Sequence, residues 1–170
     1  MSKQQPVKDD LLKLVKEHER IIFKICNSYC SNKDDRADLA QEIIYHVLKS
    51  YERYNADYKF STWMYRIALN VAISFYRKTK TGQQMISLAE DHGESEDKGN
   101  ESAALEKNIC MLEQFISELK ELDKALMILY LESKSYAEIA EILGITETNT
   151  ATRISRIKDK LKQKFSTVKK

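Results

Sequence analysis

The stretch SYAEIAEILGITETNTATRISRIKDKL, residues 135–161, has the pattern of two short helices joined by a tight turn. Ser135 and Glu138 have the spacing of a capping box, in which each side chain satisfies a free backbone donor at a helix start. Apolar residues at helical spacing follow, and Gly144 stands where a helix end needs a left-handed residue. Thr146 can cap the next helix. The stretch therefore predicts a helix-turn-helix.

The second helix of this pair opens with polar residues where a packing helix would begin its apolar stripe. A helical wheel places Thr150, Ile154, Ile157, Leu161 and Phe165 on one buried face. The far face, with Arg153 at its border, carries Thr148, Asn149, Thr152, Arg153, Ser155 and Arg156. Hydrogen-bonding and basic side chains in this position read base edges in the major groove. A merely solvated face would be better served by stronger helix formers than Thr, Ser and Asn, so the pattern favours binding to duplex DNA.

Charge is unevenly distributed along the 170 residues, although the net charge is only +2. Residues 1–79 carry 14 Lys or Arg against 10 Asp or Glu, residues 80–131 carry 5 against 11, and residues 132–170 carry 9 against 5. Two basic ends around an acidic middle suggest two surfaces that face a polyanion. No run approaches the ~18 apolar residues of a membrane helix, and the N-terminus lacks a signal peptide core, so we expect a cytoplasmic protein.

The composition also divides the chain into two units. Residues 80–104 are acidic, rich in glycine and poor in apolar residues, which is typical of a flexible linker. Residues 1–79 and 105–170 each show apolar residues at helical spacing and no alternating strand pattern. We therefore predict an all-α protein with two small helical domains joined by a flexible acidic linker.

The cysteines do not indicate a metal site or a cofactor. There are three, an odd number, and Cys26 and Cys30 lie four residues apart, so they share a helix face. They could form half of a metal site, but the three histidines are scattered along the chain. Two small buried thiols are the simpler interpretation, and we expect neither a metal nor a cofactor.

A second informative stretch is FSTWMYRIALNVAISFYRK, residues 60–78. Ser61 can cap this helix, and the wheel assigns its core stripe to Met64, Ile67, Ala68, Val71 and Phe75. The only tryptophan lies on the other side together with cationic and amide groups: Trp63, Arg66, Asn70 and Arg77. The ring could stack on an unpaired base or cover the edge of the helical core, and the wheel leaves both roles open.

The helix DLAQEIIYHVLKSY, residues 38–51, carries polar and acidic side chains opposite its apolar stripe. These are Asp38, Gln41, Glu42, Tyr45 and Lys49. Carboxylates would repel DNA, so a protein partner fits this face better than nucleic acid does. A plain solvated face is the other interpretation.

Together these motifs resemble the extracytoplasmic-function (ECF) sigma factors of bacterial RNA polymerase. Residues 38–54 resemble sigma region two where it docks on the polymerase, residues 60–78 resemble the promoter-melting helix, and residues 135–161 resemble the helix-turn-helix of sigma region four. The resemblance implies a non-enzymatic initiation factor that binds core RNA polymerase, through its beta-prime clamp and beta flap, and promoter DNA. An anti-sigma factor is a further partner that the resemblance allows.

The resemblance also assigns roles to residues, in three sets. The clamp set, which would contact the beta-prime clamp helices, is Asp38, Gln41, Glu42 and Tyr45. The minus-ten set, which would recognise and open that element and capture a flipped base, is Asn55, Lys59, Phe60, Ser61, Thr62, Trp63, Arg66, Asn70 and Arg77. The minus-thirty-five set is Thr148, Asn149, Thr152, Arg153, Ser155 and Arg156. Many relatives have Gly-Thr-Val-Lys-Ser-Arg where this chain has TNTATR, so their promoter preference is not implied.

Two other classes of protein are compatible with parts of the sequence. One is an ordinary helix-turn-helix transcription regulator whose N-terminal helices dimerise or bind a ligand. The polar side with Trp63, Arg66 and Asn70 speaks against it, because a dimerising helix would be apolar there. The other is a recombinase or nuclease fragment that binds metal through Asp34, Asp35 and Asp38, but no downstream set of carboxylates supports it.

Overall fold

The computed structural model describes residues 8–82 and 100–168 as helices with short connections. Those residues form eight α-helices and one 3₁₀ turn, with no strand among them, which confirms the all-α prediction. The helices are α1 Lys8–Glu17, α2 Glu19–Tyr29, α3 Lys33–Ser50, α4 Phe60–Gly82, α5 Asn100–Glu118, α6 Glu121–Leu131, α7 Tyr136–Leu143 and α8 Glu147–Val168, with the 3₁₀ turn at Tyr51–Arg53. Most of the predicted linker, residues 83–99, lies outside the described residues. Helix α4 ends and α5 begins within the range predicted as linker.

Helices α1 to α4 form the N-terminal bundle. The predicted stripe of α3 is confirmed, since Leu39, Ile43 and Val47 are completely buried. The Asn32 side chain caps α3, because its Oδ1 accepts a hydrogen bond from the Asp35 backbone N–H at 2.7 Å. Helix α3 packs against α4 and α2 and leaves its polar face outward.

The predicted core stripe of α4 is partly wrong. Met64 and Ala68 are completely buried as expected, but Ile67, Val71 and Phe75 are only half-buried. Phe60, Tyr65, Leu69 and Ala72 of this helix are also buried, and the wheel did not assign them to the core stripe. The reason is that α4 packs against α2 and α3 on one side and against α6 and α7 on another, so its buried surface is wider and rotated relative to a single apolar stripe.

Helices α7 and α8 form the predicted helix-turn-helix. The capping box is present in full, with Ser135 Oγ accepting from the Glu138 N–H at 3.2 Å and Glu138 Oε2 accepting from the Ser135 N–H at 3.1 Å. Gly144 has φ 68° and ψ 35°, the left-handed conformation that glycine adopts at little cost. The Ile145 N–H donates to Ala140 O at 3.1 Å and closes the turn. These local bonds set the start of α8.

Helix α6 joins the two bundles. Six consecutive residues, Lys124 to Leu129, are buried, and α6 contacts both α8 and the N-terminal helices α2 and α4. Lys124 is 2% exposed, and its Nζ lies 5.1 Å from the ring centres of both Tyr29 and Tyr76. The Tyr29 hydroxyl donates to Glu121 O at 2.7 Å. The two bundles therefore meet through a buried amino group between two aromatic rings.

Candidate nucleic-acid and polymerase interfaces

The N-terminal half of α8 presents a polar face to solvent. Thr148, Asn149, Thr152, Ser155 and Arg156 are all exposed, as the wheel predicts. On the opposite face, Thr150, Ile154 and Ile157 are buried as predicted, whereas Leu161 and Phe165 are only half-buried. The face left free by packing is therefore the one that can enter a groove of duplex DNA.

Hydrogen bonds at the start of α8 fix which polar atoms this face offers. The Asn149 backbone N–H donates to Thr146 Oγ1 at 3.0 Å, so Thr146 caps the helix as expected. The buried Thr150 hydroxyl donates to Thr146 O at 3.0 Å. The exposed Thr152 hydroxyl donates to Thr148 O at 2.9 Å, which leaves its oxygen lone pairs directed outward as acceptors.

Arg153 is the one member of the minus-thirty-five set that does not project freely from α8. Its Nη1 donates to Asp123 Oδ1 on α6 at 2.9 Å, and its Nε donates to Asn149 Oδ1 at 3.2 Å. Its side chain is 37% exposed and that of Asp123 is 21% exposed. Arg153 is thus held against the protein, a position that the sequence could not indicate.

The basic end of α8 is partly occupied by contacts within the protein. Lys158 Nζ lies 4.3 Å from the centre of the Tyr130 ring, and its hydrogen bond with the tyrosine raises the pKa of Lys158. Lys164 pairs with Glu118 of α5. Lys160 and Lys162 are exposed, so these two offer charge to a phosphate backbone.

An aromatic cluster surrounds Trp63 at the start of α4. The centre of the Trp63 ring lies 4.9 Å from the ring centre of Tyr54, 5.4 Å from that of Phe60 and 6.1 Å from that of Tyr51. Trp63 itself is half-buried. The two roles that the wheel left open are compatible here, because the cluster supports part of the ring and leaves the rest at the surface.

Two details at this helix start differ from expectation. Helix α4 begins at Phe60, and the Trp63 N–H donates to Lys59 O at 3.2 Å, so Ser61 lies inside the first turn and is not the cap. Phe60 is 8% exposed and packs against His18 and Tyr54. Phe60 therefore supports Trp63 from inside the core and does not present its own ring to DNA, whereas Ser61 and Thr62 are half-buried.

The loop before α4 is held by its own hydrogen bonds. Asn55 Oδ1 accepts from the Asp57 N–H at 3.0 Å, and the Tyr54 hydroxyl donates to Tyr58 O at 2.7 Å. Asn55 and Lys59 are exposed on this loop. The Asn55 side chain therefore shapes the turn as well as lying at the surface.

The remaining members of the minus-ten set lie along α4. Arg66 and Asn70 are exposed on the same side as Trp63. Arg77, further along, donates from Nε to Glu121 Oε1 on α6 at 2.8 Å. The structure thus groups Trp63, Arg66 and Asn70 at one surface and engages Arg77 with the C-terminal domain.

The clamp set lies on α3, next to this surface. Asp38, Gln41 and Tyr45 are exposed, and Tyr45 has 58% of its surface accessible. Glu42 is half-buried and lines a cleft of about 420 Å³ between α3 and α4, which Asn70 also lines. A protein bound to α3 would therefore lie beside DNA bound at α4.

Cys26 and Cys30 are buried, as the sequence suggests. Burial is the largest cause that raises the pKa of the Cys26 thiol to about 11 and that of the Cys30 thiol to about 12. Within the described ranges no group of three or more His, Cys, Asp or Glu is arranged to hold a metal ion. Asp35, one of the aspartates considered for metal binding, accepts a hydrogen bond from Asn32 Nδ2 at 2.7 Å.

We expect one thiol of the native protein to react rapidly with a thiol reagent at pH 8, and all three to react after denaturation. Cys110 is exposed, whereas the two buried thiols stay protonated at this pH because their raised pKa values lie well above it. The measurement is the number of thiols titrated by a chromogenic disulfide, and Cys110→Ser should abolish the rapid phase. Rapid reaction of two or more native thiols would contradict the burial of Cys26 and Cys30.

The fold and these surfaces define a class: an all-α protein of two domains, with a helix-turn-helix in one and a supported surface tryptophan beside cationic side chains in the other. Comparisons with known proteins specify the family. Residues 14–81 match Sigma-70 region 2, and residues 111–161 match Sigma-70, region 4. No helix within the described residues is long and apolar enough to cross a membrane.

The relatives agree with both matches. The chain is 31% identical over 158 residues to the RNA polymerase sigma factor SigV of Bacillus subtilis, which covers 92% of this chain and 91% of SigV. It is 29% identical over 157 residues to the ECF RNA polymerase sigma factor SigW of the same species, with 85% and 82% covered. The chain belongs to the ECF sigma factors of bacterial RNA polymerase. It binds core RNA polymerase and directs promoter-specific transcription initiation, and the alternative of an ordinary helix-turn-helix regulator is not favoured.

Solved structures show the same fold at low sequence identity. The sigma factor RpoE in complex with the anti-sigma factor NepR from Bartonella quintana has a TM-score of 0.68 and 20% identity, covering 92% of this chain and 96% of that one. CnrH in complex with the cytosolic domain of CnrY has a TM-score of 0.67 and 18% identity, covering 95% and 90%. Both matches span the two domains.

Proposed function

We propose that the two domains divide promoter recognition between them, with residues 105–170 reading the minus-thirty-five element and residues 1–79 opening the minus-ten element. Residues 80–104 would link them. The observation that carries the proposal is the face of α8, where Thr148 and Asn149 are exposed directly after the helix-turn-helix corner and Arg156 is exposed further along. The N-terminal part of a recognition helix is the part that reaches base edges.

At the minus-ten element, Trp63 provides the surface on which an unpaired base stacks. Its partners Tyr54 and Phe60 hold the ring in place before DNA arrives, which lowers the entropic cost of ordering it on binding. Arg66 lies on the same side and can neutralise phosphates of the separated strand. Phe60 acts from within the core, and Arg77 contributes only when it leaves Glu121.

Protein partners use other faces. We assign the exposed side of α3, with Asp38, Gln41 and Tyr45, to the beta-prime clamp, and a surface of the C-terminal domain to the beta flap. An anti-sigma factor is a further proposed partner. One protein of this fold, RpoE, was solved with the anti-sigma factor NepR bound, and another, CnrH, with the cytosolic domain of CnrY bound. The protein would act in the cytoplasm, without catalysis or a cofactor of its own.

The test is reconstituted transcription with core polymerase on a library of promoters that vary in the minus-thirty-five element. Wild-type protein is expected to select a defined subset of promoters. Arg156→Ala should weaken that selection at one or two base positions by roughly 1–3 kcal/mol, because it removes a base contact of the recognition helix.

Lys160→Ala is the matched control, since it removes an exposed cation from the same helix beyond the reading face. It should weaken binding evenly across promoters and lower the salt dependence, without changing base preference. Equal, sequence-independent losses from both variants would contradict the assignment of α8 to base reading. Failure to initiate at any promoter with core polymerase bound would contradict the division of roles as a whole.

A further inference from the structure

The carboxylate of Asp123 on α6 contacts α8, the helix proposed to read the minus-thirty-five element. Asp123 Oδ1 accepts from Arg153 Nη1 at 2.9 Å, although the two residues are 30 positions apart in the chain. Only 21% of the Asp123 side chain is exposed, so this ion pair is partly shielded from solvent and its geometry is better defined than that of a fully exposed pair. Asp123 therefore fixes the guanidinium of Arg153 on the side of α8 that faces α6.

The same guanidinium determines how the Asn149 amide is oriented. Arg153 Nε lies 3.2 Å from Asn149 Oδ1, one helical turn earlier. A guanidinium has only donors, so the side of the amide that meets it has to be the oxygen. The Nδ2 amino group is consequently the part of the exposed Asn149 amide that Arg153 does not engage.

We propose that Asp123 is a positioning residue that sets base specificity at the minus-thirty-five element. It acts through two hydrogen bonds, one from Arg153 to Asp123 and one from Arg153 to Asn149. The proposal rests on the proposed function of α8. Asp123 does not touch DNA. It holds Arg153, and Arg153 holds the amide of Asn149 so that this residue acts as a hydrogen-bond donor.

A donor-directed amide has a definite preference among base edges. Both purines offer the N7 acceptor in the major groove, whereas cytosine offers only its amino donor there. The familiar bidentate pairing of Asn with adenine needs the amide oxygen as well as the amino group, and here the oxygen is engaged by Arg153. Wild-type protein should therefore accept adenine, guanine and thymine at this position, since each carries a major-groove acceptor, and should reject cytosine.

Release of Arg153 should change that preference. In Asp123→Ala the guanidinium loses its anchor, the amide can rotate, and its oxygen becomes available to the adenine N6 amino group. We expect the adenine-to-guanine preference at that one position to rise by about fivefold or more, the lower end of what a bidentate pair contributes. Asp123→Glu, which keeps the carboxylate, should return the preference toward the wild-type value.

The experiment uses holoenzyme made from core polymerase and the full chain on promoters with a randomised minus-thirty-five element, with the initiated promoters counted by sequencing. Asn149→Ala first identifies the base position at which preference depends on this side chain. If no position responds to Asn149→Ala, the base contact assigned to Asn149 under the proposed function is refuted, and the positioning role with it. If a position responds, the adenine-to-guanine ratio there tests Asp123 alone.

Two outcomes would overturn the positioning role while leaving the base contact intact. One is an unchanged adenine-to-guanine ratio in Asp123→Ala. The other is an equal loss of initiation from every promoter, which would mean that Asp123 only stabilises the C-terminal domain. Thermal unfolding of each variant separates that loss from a change in specificity, because a purely structural effect moves the melting temperature without moving the base ratio.

Discussion

Trp63→Ala is expected to raise the activation free energy of promoter opening by about 1–3 kcal/mol and so to slow this step. The formation of the initial closed complex should be nearly unchanged. The proposed role of the ring is to stack on a base after the strands separate, so its loss is felt when that base leaves the duplex. The measurement is opening followed by reactivity of unpaired thymines to permanganate, alongside closed-complex formation at low temperature. Trp63→Phe, which keeps a smaller stacking surface, should open promoters at a rate between those of the wild-type protein and Trp63→Ala.

The control has to account for the second role of this ring, since Trp63 also packs against Tyr51, Tyr54 and Phe60. Phe75→Ala provides it, because Phe75 is another half-buried aromatic residue on α4, more than two turns past Arg66. Both variants should lose stability, but only Trp63→Ala should lose opening selectively. Equal defects in opening at equal loss of stability would show that Trp63 acts only as cover for the core.

The caps and the turn of the helix-turn-helix could be predicted from the sequence, because the contacts that form them are local. The contacts between Ser135 and Glu138, and between Thr146 and Asn149, span three residues, so they are determined locally. The left-handed conformation of Gly144 is equally local. Such features depend little on what packs nearby, and spacing alone indicates them.

The features that the sequence did not reveal depend on distant partners. A single helical wheel cannot show that α4 is covered on two sides, so Tyr65 and Leu69 were missed as core residues. The pairing of Arg153 with Asp123 joins α8 to α6, and that of Arg77 with Glu121 joins α4 to α6. In both cases an arginine that was predicted to bind DNA is held by a carboxylate in the first turn of α6. The position of α6 relative to α4 and α8 is determined only by the tertiary fold.

Lys124→Glu is expected to separate the two domains, at a cost on the order of 3–5 kcal/mol to the contact between them. The wild-type amino group lies 5.1 Å from the rings of Tyr29 and Tyr76, and only 2% of the residue is exposed. A carboxylate in its place would be buried against the negative faces of the rings. We expect the radius of gyration from small-angle scattering to increase and urea unfolding to split into two transitions, one for each domain.

Two companion variants separate charge from bulk. Lys124→Met keeps the length of the side chain and can contact the tyrosine rings through its sulfur, so it should leave the domains associated. Lys120→Glu makes the same change of charge at an exposed position just before α6 and should have no effect on either measurement. A compact Lys124→Glu protein with a single unfolding transition would show that the contact contributes little. If the domains do separate, the Glu121 contact with Arg77 is lost as well, and one cation of the minus-ten set becomes available to DNA.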